Sequence, residues 1–296
     1  MSELRDWQVL WPGENQLGEG ILWHPELQTL FWVDIVCSEL FAMPWQRPDL
    51  VSCTLLPFKA SHVALCDDSD YLLLATNKGI AKWHITEQRL DDIIEIPQLE
   101  KGVRCNDAAV AEDGSYWVGL MSEPPEAERG CIVRVAPSGK VETIKTDISI
   151  PNTMLWHERH FIFADSGLHT LFRQPITADG SLSGEAEVLL TLDSHDQTPD
   201  GSTLATDNSI FNAIWQGQRI QQLSPSGKLL EEHYLPVYSP TSCTFCGPEL
   251  DYLAVTSARV DVPAPVLEEF PLTGALICKK LPITGTLART FHWPEQ

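Results

Sequence analysis

The chain has 296 residues, of which 43% are hydrophobic, so it is long enough to bury a substantial core. It has no run approaching the about 20 consecutive apolar residues of a membrane-spanning helix, and residues 1–6 are too polar for a signal peptide, so we expect a cytoplasmic protein that binds no membrane. The formal net charge of −21 argues against nucleic acid as a partner, because phosphate binding needs a basic surface, and it favours cations.

Short strand-like runs of aromatic and aliphatic residues recur along the chain at intervals of 41 to 49 residues, with glycine-containing turns between them. The six runs begin at Leu30, Tyr71, Tyr116, Phe161, Ile210 and Tyr252. A period in the forties is typical of four strands per blade, so six units predict an all-β, six-bladed β-propeller. We interpret residues 1–296 as a single domain, in which a strand at residues 7–10 closes the ring as the outer strand of the last blade.

Polar residues occupy one register of this repeat, about ten residues ahead of the strand-like runs. In chain order they are Glu19, His62, Asn106, Asn152, Asp200 and Thr241, each close to a short apolar run. In a propeller these positions ring the central axis, and converging carboxylate and amide oxygens would bind a hard cation. Asn152 and Asp200 each follow a proline and could simply form turns. The shared register favours a cation or polar-ligand site over that alternative.

Motifs of several common active sites are absent from the sequence. Eight irregularly spaced cysteines with one CxxC pair, Cys243 and Cys246, predict structural thiols rather than disulfides or a zinc site. Residues 157–160 do not match HExxH, and we interpret them as a hairpin turn. Residues 18–20 lack the third glycine and the following helix of a dinucleotide-binding loop, and the sequence contains neither a P-loop nor a GxSxG motif.

Five blocks of sequence, in the same order as in the family, resemble the SMP-30/gluconolactonase/regucalcin-like family. They are residues 17–23 with 31–34, residues 104–107 with 113–121, residues 151–152 with 164–166, residues 199–201 with 215–227, and residues 240–247 with 256–259. Each block alone is a weak signal, but together they span about residues 17–260 and are highly specific.

The resemblance implies a propeller with one divalent cation (Ca, Zn, Mn, Mg or Fe) at the mouth of its channel, held by Glu19, Asn152 and Asp200. It places the substrate contacts at Arg104 and Asn106. The implied reaction is metal-dependent hydrolysis of a small-molecule sugar lactone to the sugar acid. The alternatives are a calcium- or small-ligand-binding propeller without significant turnover, or a phosphotriesterase or aryl-ester hydrolase. We expect a monomer or weak dimer.

Two further roles follow from the chemistry of that site. Asp200 is our choice for the general base, because a ligand at the rim can also hold the attacking water. His62 is a candidate second acid–base group or substrate contact, although a channel-lining histidine without a catalytic task is the interpretation we prefer.

The chain departs from the family pattern near the proposed ligands. Thr153 stands where the family commonly has glycine, and we expect its side chain to narrow the site. Residues 260–265 are proline-rich where the family has glycine and glutamine. Both departures predict a substrate preference that differs from the common family pattern.

Overall fold

The computed structural model describes residues 6–194 and 196–294. Their strands form six antiparallel sheets around a common axis, which confirms the predicted six-bladed propeller. The first strand, β1 (Gln8–Trp11), belongs to the last blade, and the blades are otherwise built in chain order from the innermost strand outwards.

The first three blades contain strands β2 to β13. Blade 1 consists of β2 (Gly18–His24), β3 (Thr29–Asp34), β4 (Glu39–Pro44) and β5 (Ser52–Leu55). Blade 2 consists of β6 (Ala60–Cys66), β7 (Tyr71–Thr76), β8 (Gly79–His84) and β9 (Arg89–Ile94). Blade 3 consists of β10 (Val103–Val110), β11 (Tyr116–Ser122), β12 (Gly130–Val135) and β13 (Val141–Ile148).

The last three blades contain strands β14 to β24 together with β1. Blade 4 consists of β14 (Pro151–His157), β15 (His160–Asp165), β16 (Thr170–Pro175) and β17 (Glu187–Thr191). Blade 5 consists of β18 (Thr198–Leu204), β19 (Ile210–Trp215), β20 (Arg219–Leu223) and β21 (Leu229–Tyr234). Blade 6 consists of β22 (Pro240–Cys246), β23 (Tyr252–Ser257), β24 (Leu276–Lys280) and β1. A short helix, α1 (Ala264–Glu269), follows the proline-rich segment.

Both ends of the described chain are anchored in the ring. Strand β1 pairs antiparallel with β24, with Gln8 opposite Cys278 and Val9 opposite Ile277. Near the C-terminus, β25 (Thr290–Phe291) pairs in parallel with β6 and makes blade 2 five-stranded. Residues 286–289, just before β25, line a cavity together with residues of the innermost strands of all six blades. Each blade edge that receives such a strand is thereby covered.

The core consists of apolar clusters packed between neighbouring blades. Each of the six blade interfaces has its own cluster, so no blade is held by one neighbour alone. The second strand of each blade is buried on both faces and therefore reads as a continuous apolar run rather than an alternating one. Burying one large apolar side chain stabilises the fold by about 1.5–3 kcal/mol, which explains why these runs dominate the sequence signal.

All eight cysteines lie in the described part of the chain, and each is a free thiol. Cys243 and Cys246 are buried among apolar neighbours in blade 6. Among the described residues, no helix has the length and apolar character that crossing a membrane requires.

Candidate metal and substrate site

The innermost strand of every blade carries an irregularity of register at the level of the predicted ring residues. The six innermost strands are β2, β6, β10, β14, β18 and β22, and each packs beside the next around the axis. The six shifts in pairing fall at residues 19–22, 60–62, 105–108, 152–155, 199–202 and 240–243. Such β-bulges bend a strand and redirect side chains, which is why they are frequent beside active sites. The sequence repeat is therefore a repeat of bulges around the channel.

Blades 3 and 4 bring Arg104, Asn106 and Asn152 into direct contact. The Asn106 Nδ2 amide donates to Asn152 Oδ1 at 2.8 Å and to the Pro151 carbonyl at 3.0 Å. The Arg104 guanidinium donates to Asn106 Oδ1 at 2.8 Å, so each polar atom of the Asn106 amide has a partner. These bonds fix the orientation of both amides.

A buried hydroxyl holds Asn152 from the other side. Asn152 Nδ2 donates to Ser166 Oγ at 2.9 Å, and Ser166 Oγ donates to the Pro199 carbonyl at 2.6 Å. With its nitrogen engaged by Ser166, Asn152 presents Oδ1 as its available ligand atom. Ser166 lies in a 3-10 turn, Ser166–Leu168, capped by Asp165, whose carboxylate accepts the Gly167 amide N–H. The turn fixes the hydroxyl that orients a proposed ligand.

Three carboxylates lie close together around the channel, Glu19, Asp107 and Asp200. Burial, and after it the charge of the nearby Asp107, raise the pKa of Glu19 to about 8, although the amide N–H of Gly20 and the charge of Arg104 oppose the shift. Burial, followed by the charge of Glu19, raises the pKa of Asp200 well above its usual range. Burial likewise raises the pKa of Asp107 to about 6. Crowded carboxylates with little water around them need a compensating positive charge to ionise.

The donor set fits a hard divalent cation. Glu19, Asn152 and Asp200 offer carboxylate and amide oxygens from blades 1, 4 and 5, and oxygen is the donor that hard cations prefer. Three protein ligands would leave further coordination positions for water and substrate. Arg104 supplies a positive charge at this end of the channel, and burial lowers its pKa.

Arg104 is also tied to the rim of the channel. Its Nε lies 3.5 Å from the carboxylate of Glu123. Both oxygens of that carboxylate also accept hydrogen bonds from Lys59 Nζ, at 2.9 and 3.1 Å. The guanidinium also donates to the Cys105 carbonyl at 2.9 Å. Arg104 is thus held beside Asn106 by two hydrogen bonds and one ion pair.

His62 lies lower in the channel, beside Asp107. Its Nδ1 is 2.8 Å from the Tyr116 hydroxyl, and its Nε2 is 4.0 Å from the Asp107 carboxylate. Burial lowers the pKa of His62 to about 3 and raises that of the Tyr116 phenol well above its usual value, so both are neutral near pH 7. Either nitrogen of the neutral ring can carry the proton, so the donor in the Nδ1–phenol contact is the hydroxyl in one tautomer and the ring N–H in the other. His62 and Asp107 also line a cavity of about 130 Å³, whose wall includes residues 286–289.

The sixth ring position, Thr241, is turned away from the axis. Its side chain is fully buried, and its hydroxyl donates to the Gly18 carbonyl at 2.5 Å while contacting Thr256 Oγ1 at 2.9 Å. Thr241 therefore joins blade 6 to blade 1 next to Glu19 instead of facing a ligand.

Thr153 also differs from the expectation. Its side chain is fully buried, and its hydroxyl donates to the Asp200 carbonyl at 2.5 Å and contacts Ser202 Oγ at 2.8 Å. The prediction that Thr153 narrows the substrate site is wrong, because the hydroxyl points between blades 4 and 5.

Three residues of the site carried no role in the sequence interpretation: Asp107, Glu123 and Ser166. Asp107 and Ser166 fall within blocks that resemble the family, directly after Asn106 and Asp165, and that position was the available signal. Glu123 follows β11, the strand that pairs Met121 with Arg104, so strand pairing alone brings it to the site.

A separate group of potential ligands lies in the turn between β3 and β4. Oxygen or sulfur atoms of Asp34, Cys37 and Glu39 lie within 4.8 Å of one another. The Asp34 carboxylate already accepts backbone N–H groups from Gln16, at 2.7 Å, and from Cys37, at 3.0 Å, among others. Its role in capping the turn accounts for this cluster without a bound ion.

Comparison with known proteins places the chain in a family. Residues 17–259 match the model of the SMP-30/Gluconolactonase/LRE-like region. The chain is 27% identical to a 6-deoxy-6-sulfogluconolactonase of Pseudomonas putida over 91% of this chain and 92% of that protein, and 27% identical to an L-arabinolactonase of Azospirillum brasilense over 94% and 92%. A crystal structure of regucalcin from Agrobacterium tumefaciens, described as a calcium-binding protein, superposes with a TM-score of 0.90 at 27% identity, covering 96% of each chain. The fold and the sequence blocks therefore agree, and the chain belongs to the SMP-30/gluconolactonase/LRE-like family.

Proposed function

We propose that this protein hydrolyses a sugar lactone to the corresponding sugar acid, with a divalent cation held by Glu19, Asn152 and Asp200. The observation that supports the proposal is the contact between a proposed ligand, Asn152, and the Arg104–Asn106 pair, because the residues proposed to bind the substrate then lie beside the proposed cation site. The relatives named as lactonases support a lactone-hydrolysing enzyme as the class.

Each residue of the proposed site has its own role in the reaction. A cation bound at the three oxygen ligands would polarise the lactone carbonyl as a Lewis acid. Arg104 and Asn106 would orient the carbonyl and ring hydroxyls by hydrogen bonds, and Arg104 would pair with the carboxylate of the product. Asp200 would accept a proton from the water that adds to the carbonyl carbon. The ring C–O bond then breaks, and the proton passes to the departing ring oxygen.

Two alternatives make different use of the same site. A calcium-binding protein without turnover draws support from the likeness to regucalcin, but cation binding alone gives no task to the buried guanidinium of Arg104. A phosphotriesterase or aryl-ester hydrolase would place an apolar group against the buried Arg104 guanidinium, whose Nε has no hydrogen-bond partner among the described residues, and would leave that donor unpaired at a cost of about 1–3 kcal/mol. A polyol lactone offers oxygens that can accept from it.

The test is a pH-indicator assay of lactone hydrolysis on a panel of hexonolactones and pentonolactones. Protein treated with EDTA, then with Ca²⁺, Mn²⁺, Zn²⁺, Mg²⁺ or Fe²⁺, is compared with untreated protein. We expect the chelated protein to be inactive and the cations to restore activity to differing degrees, because an all-oxygen site selects hard ions loosely. Full activity in protein shown by elemental analysis to be metal-free would defeat the metal-dependent mechanism, and inactivity on every lactone would favour the binding protein.

A further inference from the structure

Thr153 has a backbone conformation that is unusual for its residue type. It lies in the bulge of β14 directly after Asn152, with φ of 52° and a fully buried side chain. In blade 1 the equivalent position after Glu19 is Gly20, with φ of 56°. Positive φ suits glycine, and for a β-branched residue it is a genuine outlier. Such a conformation persists when the surrounding structure compensates for it.

The compensation comes from a buried polar cluster that Thr153 shares with blade 5. Its hydroxyl donates to the Asp200 carbonyl at 2.5 Å and contacts Ser202 Oγ at 2.8 Å. The Asn212 side-chain amide, also fully buried, donates to the same Asp200 carbonyl at 2.9 Å and to Thr153 Oγ1 at 3.2 Å. Two side-chain donors, from Thr153 and Asn212, therefore meet at the carbonyl of Asp200, and Ser202 Oγ completes the cluster.

The left-handed conformation also directs the main chain of Thr153 towards blade 3. Its amide N–H donates to the carboxylate of Asp107. One residue in blade 4 is thus bonded to Asp107 on one side and to the Asp200 carbonyl on the other. Glycine could make the first contact but not the second.

Two hydroxyl groups bridge blades 4 and 5 in parallel at this level. Ser166 connects the side chain of Asn152 to the carbonyl of Pro199, and Thr153 connects the next residue of each strand. The two bridges therefore span the pair of oxygen ligands Asn152 and Asp200. Removing either bridge would remove a constraint on the distance between Asn152 and Asp200.

We propose that Thr153 is a positioning residue that fixes the distance between Asn152 and Asp200 through its hydroxyl and thereby sets the affinity of the site for its cation. The proposal deepens the proposed function and depends on the same cation site. It concerns binding of the cation, which can be measured without a substrate.

The test compares three variants by calorimetric titration of EDTA-treated, dialysed protein with Mn²⁺ and Ca²⁺. Thr153→Val keeps the β-branched shape and loses the hydroxyl, Thr153→Ser keeps the hydroxyl, and Thr153→Gly loses the hydroxyl while relieving the backbone. We expect Val and Gly to weaken cation binding about 10- to 100-fold, the usual effect of removing a partner that orients a ligand. Ser should restore binding towards that of the wild type.

Thr76→Val is the matched control. Thr76 is fully buried in blade 2, and its hydroxyl donates to the Gly79 carbonyl at 2.7 Å, away from the three ligands. We expect it to lower thermal stability and leave cation affinity unchanged. Should Thr153→Val not fold, Thr153→Gly gives the answer, because it carries no strain at positive φ.

The outcomes separate this proposal from the proposed function. Wild-type affinity in both Thr153→Val and Thr153→Gly would overturn the positioning role while leaving lactone hydrolysis intact. Equal losses of affinity in Thr153→Val and Thr76→Val would reduce Thr153 to a general contribution to stability. Weaker cation binding in the Thr153 variants, with no lactone hydrolysed by the wild type, would uphold the positioning role and refute the lactonase. A wild type that binds neither cation would overturn both.

Discussion

Replacing Asn106 by alanine separates a cation ligand from a substrate contact. The Asn106 side chain makes three hydrogen bonds, to Asn152 Oδ1, to the Pro151 carbonyl and from Arg104. In our assignment it binds no cation itself, so the loss of cation affinity is limited to its help in orienting Asn152. One such hydrogen bond is worth about 0.5–1.5 kcal/mol, which corresponds to about 2- to 13-fold weaker cation binding.

The effect on catalysis should be larger. Without Asn106, Arg104 loses the partner that holds it beside the site, and the substrate loses the remaining acceptor capacity of Asn106 Oδ1. A hydrogen bond that involves a charged group is worth about 1.5–3 kcal/mol, so kcat/KM measured at saturating cation should fall roughly 10- to 150-fold. Asp200→Ala, in contrast, should lose both the cation and the activity.

The assay combines metal content by elemental analysis, calorimetric titration with the cation, and kinetics on the best lactone of the panel. An Asn106→Ala protein that no longer retains the cation would show that Asn106 is a ligand, and our assignment of the two asparagines would be reversed. Unchanged kinetics with the cation in place would refute a substrate role for Asn106.

Three further predictions follow from the described contacts and burial. Because burial raises the pKa of Glu19 to about 8, the EDTA-treated protein binds more protons when folded than when unfolded, so its free energy of unfolding should fall as the pH rises from about 4.5 to 8. Chemical denaturation across this pH range measures the fall, which should be smaller with the cation present. Phe291→Ala removes a fully buried ring that anchors β25 on blade 2 and should lower the free energy of unfolding by about 3–5 kcal/mol, whereas Leu55→Ala, at a side chain 74% exposed, should change it by less than about 0.5 kcal/mol. Ser166→Ala should leave Asn152 Nδ2 and the Pro199 carbonyl without their partner and weaken cation binding about 10- to 100-fold; unchanged affinity would show that Asn152 needs no such support.

Much of the fold could be predicted from the sequence because its strongest signal is local. The six predicted runs all lie in the second strand of a blade, where burial on both faces demands continuous apolar sequence. The outer strands, such as β9 and β21, are largely exposed and mix polar with apolar residues, so their sequences carry little signal. The parallel pairing of β25 with β6 joins residues more than two hundred positions apart, and the sequence of neither segment predicts it.

The candidate site divides in the same way. The sequence alone determined which residues share a register, and four of them, Glu19, Asn106, Asn152 and Asp200, could be singled out by their oxygen-bearing side chains. The direction of each side chain was decided by the tertiary structure, because a bulge or a positive φ at one residue turns the next group towards the axis or towards a neighbouring blade. Thr241 and Thr153 occupy or adjoin ring positions, yet both hydroxyls bond to a carbonyl of the adjacent blade. A buried hydroxyl takes whichever acceptor the fold places within reach, and that acceptor lies on a distant part of the chain.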